Sequence, residues 1–119
     1  MGASTVAIQG ADQTNNSGAL AASLMILAAP GTLYSLSGYN DSASDQFIQL
    51  FDAAAVPADA TVPKLVLVAY AQTPFSFDFP AGRLFTTGIV VCNSSTDVTK
   101  TIGSANCIFD ATFTRKFTA

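Results

Sequence analysis

The chain has no histidine, no tryptophan, no glutamate and only two cysteines. Without histidine, neither a Ser-His-Asp nor a Cys-His relay can be assembled. Two cysteines fifteen positions apart do not make a zinc cluster, and no metal or other cofactor is expected. Charge is scarce as well: 11% of residues carry it, against about 25% in an ordinary soluble domain. The five basic residues, Lys64, Arg83, Lys100, Arg115 and Lys116, are scattered and the net charge is −3. No stripe tracks a phosphate backbone, so nucleic acid is not an expected partner. The eight glycines stand alone at turns, which leaves no phosphate-cradling loop. The longest apolar run, ALAASLMILAAP over 19–30, is too short to span a bilayer, and no membrane partner is expected. No basic region precedes that run, so it makes a poor signal peptide. Val6 occupies the position where N-myristoylation needs Ser or Thr. A soluble product made in the cytoplasm is the expectation.

What is present is a core and an unusual surface. Half of the 119 residues are apolar, including 23 Val, Ile and Leu and nine Phe. A chain of this length supports one domain and one core. Ser, Thr, Asn and Gln number 34. Hydroxyls and amides are cheaper to desolvate than ions, so such a surface suits a protein that is covered by copies of itself or by a partner.

Strand signals recur at short intervals from residue 19 onward. Ala22–Ala28 is apolar and ends at Pro30-Gly31; Thr32–Tyr39 and Gln46–Phe51 follow. The stretch DAAAVPADATVP holds two prolines and continues neither helix nor strand, which limits a helix over Phe47–Ala55 to one turn. Lys64–Ala71 is rich in Val and Leu and reads as a central strand. Phe75, Phe77 and Phe79 alternate with Ser76 and Asp78, the period of a pleated strand, and Pro80-Ala81-Gly82 is expected to end it. Thr86–Cys92 and Asn106–Phe113 complete the series. The expected fold is all-β: a single antiparallel β-sandwich, jelly-roll-like, of about 7–8 strands over 19–119. Residues 1–18 read as an N-terminal arm, with Val6 and Ile8 in a short β-like stretch and ADQTNNSG as a flexible linker.

Candidate chemistry is thin. Eight Asp residues could in principle pair for glycoside hydrolysis, but they sit beside Ser, Ala or Asn, where Asp favours turns. The loop Asn40–Asp45 lacks the glycine and distal acid of a calcium loop and reads as a turn. Tyr34, Tyr39 and Tyr70 lie in apolar patterns and read as packing residues. Three Asn-x-Ser sequons (Asn15, Asn40, Asn93) are what a Ser- and Asn-rich chain produces by chance. Cys92 and Cys107 could face each other across a hairpin centred near Thr99. A disulfide there would close a loop of about 15 residues, worth roughly 3 kcal/mol. Two buried, reduced thiols are the expected alternative in the absence of an export signal. An enzyme is the class least expected.

Four segments, LYSLSGYN, FIQLFDAAAVP, FSFDFPAG and FTTGIVV before a Ser/Thr/Asp loop, resemble small β-sandwich virion proteins of tailed bacteriophages, over roughly residues 31–113. The resemblance implies a head decoration, cement or fibre component on the virion surface, commonly a homotrimer, bound to the major capsid protein. It carries over no active-site residue. The expected contacts are Val6 and Ile8 of the arm and the Arg83-Leu84-Phe85 turn. The alternative is a receptor- or glycan-binding module of a head or tail fibre, which would display exposed aromatic rings in a groove. A secreted adhesion domain is a third class, marked by a formed Cys92–Cys107 bridge.

Overall fold

The computed structural model describes residues 13–115. Eight strands run in the order β1 (Gln13–Asn16), β2 (Ser23–Leu27), β3 (Gly31–Asn40), β4 (Gln46–Phe51), β5 (Leu65–Ala69), β6 (Thr73–Phe85), β7 (Ile89–Ser94) and β8 (Cys107–Arg115). There is no helix among the described residues, and Phe47–Phe51 belongs to β4. Sheet A has the order β1-β8-β3-β6 and sheet B the order β2-β7-β4-β5, with every pairing antiparallel.

The pairings β1–β8, β2–β7, β3–β6 and β4–β5 are those of one long hairpin folded at the β4–β5 connection. Rolling that ribbon up brings β8 against β3 and β7 against β4, which completes the two sheets. This is the jelly-roll connectivity, and the β-sandwich expected from the strand pattern is the fold.

The core lies between the sheets. Leu33 and Leu36 of β3, Ile48 and Leu50 of β4, Phe75 and Phe85 of β6, Ile89 and Val91 of β7, and Phe109, Ala111 and Phe113 of β8 form one buried cluster. Each large side chain among them contributes on the order of 1.5–3 kcal/mol by leaving water. Gly38 faces inward on β3, with Phe75 opposite it on β6 and Phe109 opposite it on β8. A Cβ at Gly38 would run into the Ile108 carbonyl, so the two rings close over the glycine at 6.3 Å between centroids.

Three expectations are corrected. Pro80-Ala81-Gly82 does not end the Phe75–Phe79 strand; β6 continues to Phe85. The register passes from Ser35↔Asp78 to Leu33↔Arg83, so Phe79–Gly82 bulges opposite Tyr34. β6 is the edge of sheet A, where Pro80 breaks no ladder on its free side, and Gly82 supplies a φ of 83°. Gln13–Asn16, within the polar linker, is a strand: its backbone pairs with β8 and Asn15 Nδ2 donates to the Met25 and Ile26 carbonyls of sheet B at 3.2 and 3.1 Å. Lys64–Ala71 is not a central strand, since β5 is the edge of sheet B.

Candidate functional site

The two sheets differ in what covers their outer faces. On sheet B, Met25, Phe51, Val90 and Cys92 form a second small core with Ala53, on the side away from the sandwich interior. The β4–β5 and β7–β8 connections tie together above this sheet. Lys100 and residues Ala60 and Thr61 exchange backbone hydrogen bonds, and the Lys100 ammonium contacts Asp59 at 2.8 Å. Buried Gln49 of β4 points its Nε2 at the carbonyls of Thr96, Asp97 and Thr99, 2.9 to 3.2 Å away, and so anchors the β7–β8 connection.

Sheet A carries no such covering among the described residues, and its outer face is open. Inward-facing Cys107, Phe109, Ala111 and Phe113 turn Ile108, Asp110, Thr112 and Thr114 outward. Register then sets out rows across the sheet: Thr14–Thr112–Ser35–Asp78, Asn16–Asp110–Ser37–Ser76 and Thr114–Thr32–Leu84. Ser35 Oγ and Thr112 Oγ1 are 2.6 Å apart, one of the cross-strand hydroxyl pairs that steady a sheet face. With Tyr39, which pairs with outward Ile108 and with Pro74 in a further row, the face presents eight hydroxyls, from Thr14, Thr32, Ser35, Ser37, Tyr39, Ser76, Thr112 and Thr114, two carboxylates, from Asp78 and Asp110, and the apolar Ile108 and Leu84. Such a face can donate and accept hydrogen bonds at many points and loses little on desolvation.

The expected contacts are placed unevenly. Val6 and Ile8 lie outside the described residues. Arg83-Leu84-Phe85 is strand, not turn, in β6. Phe85 is fully buried in the core, with Lys64 Nζ 5.3 Å above its ring, so it offers no contact surface. Leu84 is 53% exposed and stands beside Thr32 on the open face, with exposed Arg83 next to it on the sheet edge.

The cysteine hairpin does not form. β7 belongs to sheet B and β8 to sheet A; Cys92 packs on the outer side of sheet B while Cys107 faces the main core. Both thiols are free, and burial pushes each up to about 11, which keeps them protonated near neutral pH. Asn40 and Asn93 are fully buried: Asn40 Nδ2 bonds the Ser44, Ala69 and Tyr70 carbonyls, and Asn93 Nδ2 bonds that of Ser104. The sequon asparagines thus close the end of the sandwich. In the Asn40–Asp45 loop, Asn40 Oδ1 accepts from Ser42 N and Asp45 Oδ1 from Ala71 N, as a turn uses them. No three His, Cys, Asp or Glu side chains come together among the described residues. Tyr70 departs from the packing expectation: it stands 64% exposed after β5.

The open face was not legible as a face, because its residues come from four strands far apart in sequence. The local signals were the alternation of Ser76 and Asp78 with Phe75, Phe77 and Phe79, and that of Thr112-Phe113-Thr114. Compared with known protein families, with curated proteins and with solved structures, the chain matches none.

Proposed function

We propose that this chain is a virion structural protein of a tailed bacteriophage, a capsid decoration or cement protein that self-associates and binds the major capsid lattice. The observation that carries the reading is the open face of sheet A: eight hydroxyls, two carboxylates and, among the described residues, no lysine or arginine at its outward register positions. Hydroxyl-rich, weakly charged surface is covered at small cost, and repetition on a lattice turns modest contacts into a durable shell. The resemblance of the strand-and-turn segments to phage virion proteins supports the setting, and jelly rolls recur in capsid proteins, although a fold alone fixes no function. A homotrimer on the capsid surface is the arrangement that resemblance implies.

Analytical ultracentrifugation of the purified chain, together with co-sedimentation on purified capsids lacking it, tests the reading. The expected result is self-association and saturable capsid binding. A strict monomer that stays in the supernatant overturns it. The glycan-binding alternative draws on exposed Tyr70 alone, and binding on a glycan array without capsid binding would favour it.

A further inference from the structure

A two-sheet sandwich has four free edges, and an unprotected edge is a template for another strand. Three of the four are guarded. β1 is four polar residues long. β2 carries a bulge between Met25 and Leu27, and the carbonyls of Met25 and Ile26 are taken by Asn15. β6 holds Pro74, Pro80, a four-residue bulge and the charges of Asp78 and Arg83. β5 has none of these devices: Leu65-Val66-Leu67-Val68-Ala69 is uncharged, without proline, and in unbroken register with β4. Among the described residues, the side-chain hydrogen bond it receives is that of Asn40 to the Ala69 carbonyl, at its very end. Large apolar side chains stand in water around this edge: Val62 is 71% exposed, Val68 41% and Tyr70 64%.

We propose that β5 is a self-pairing edge, at which two copies of this chain join antiparallel across a two-fold axis centred on Leu67 and continue sheet B from one copy into the next. The occupant is a second copy because the edge complements itself. Centring on Leu67 sets Val66 opposite Val68 and Leu65 opposite Ala69, so like faces meet and the sandwich side stays apolar. The same register sets Lys64 of each copy, whose ammonium lies over Phe85 of its own chain, level with exposed Tyr70 of the other. Slipping the pair toward Lys64 instead brings two ammonium groups together, which disfavours it. Each β5 alternates its free N–H and C=O groups along the edge, so an antiparallel mate satisfies them as β4 does on the other side.

A five-residue ladder with a few apolar neighbours is a small contact, below the roughly 1,200 Å² of a stable interface, so it is concentration-dependent in solution and gains from repetition on a lattice. It gives the self-association proposed above a location, and rests on that reading for its biological setting only. A two-fold contact is additional to any threefold one, and would link one trimer to the next.

The test is sedimentation velocity over a range of concentrations with the wild-type chain, Val68→Lys, and Val98→Lys as a control at an exposed position in the β7–β8 connection. The wild type and the control are expected to double in mass as concentration rises, and Val68→Lys to need at least tenfold more protein, with an unchanged circular dichroism spectrum. Leu67→Cys fixes the register: mild oxidation is expected to give a covalent dimer, because the two positions coincide on the axis, whereas Val98→Cys gives none. Absence of doubling in the wild type, equal doubling in Val68→Lys, or no crosslink through position 67 overturns the proposal. Capsid co-sedimentation run in parallel separates the two ideas: Val68→Lys that still binds capsids leaves the sheet A reading standing when the edge proposal fails. A β5 dimer that ignores capsids does the reverse.

Discussion

Asp52 shows how single side chains in this chain hold connections in place. Its Oδ2 accepts from the Thr86 backbone N–H and hydroxyl, and its Oδ1 from the N–H groups of Thr87 and Gly88. Desolvation raises the carboxyl, but the hydrogen bonds from Thr86, Thr87 and Gly88 outweigh it and bring it down to about 2. A carboxylate with a folded pKa below its usual value stabilises the fold above the unfolded pKa and loses that contribution as pH falls through the folded one. Asp52 therefore stabilises the junction of β4 with β7 in full well above its unfolded value of 3.8, and loses that contribution as pH falls through about 2. Asp59, lowered by its hydrogen bond to Lys100, acts in the same direction. Urea melts of Asp52→Asn should show a loss of about 1–2 kcal/mol at pH 7. The gap between variant and wild type should narrow as pH falls through about 2, and a gap independent of pH would mean that the charge is not what matters. None of this was legible in sequence: Asp52 reads as one more turn aspartate until the fold brings Thr86–Gly88 beside it.

Strands were legible wherever their own residues dictate them. QFIQLF became β4 over the expected residues, and the Phe75–Phe79 alternation put its rings inward. The misses have a common cause in partners that sequence does not display. Gln13–Asn16 has no apolar residue and is strand because β8 and β2 supply its hydrogen bonds. Pro80 marks a break in a central strand but is tolerated in β6 because that strand is an edge. The Phe79–Gly82 bulge depends on Gly82, whose φ of 83° side chains rarely adopt and whose Cβ would press on the Thr32 methyl and the Tyr34 ring. Gly82→Ala should cost about 1–2 kcal/mol in thermal or chemical unfolding from backbone strain, with the contact adding to it. An unchanged melting temperature would show that the bulge relaxes freely.

Across the whole molecule, the jelly roll explains why neighbours in sequence part company. Consecutive strands β7 and β8 enter different sheets, so the equal spacing that suggested a cysteine hairpin has no structural counterpart. The same rolling gathers residues from β1, β3, β6 and β8 into one hydroxyl-rich face, while on sheet B the outer side of β2, β4 and β7 carries a small second core. Composition points to a surface suited to being covered, and the topology says which side is open among the described residues. The direct test places charge on that side: Ser37→Lys with Thr112→Lys, two outward positions on neighbouring strands. With the sandwich intact by circular dichroism, capsid co-sedimentation of this variant should fall at least tenfold relative to wild type. Undiminished binding would contradict the assignment of the sheet A face as the contact.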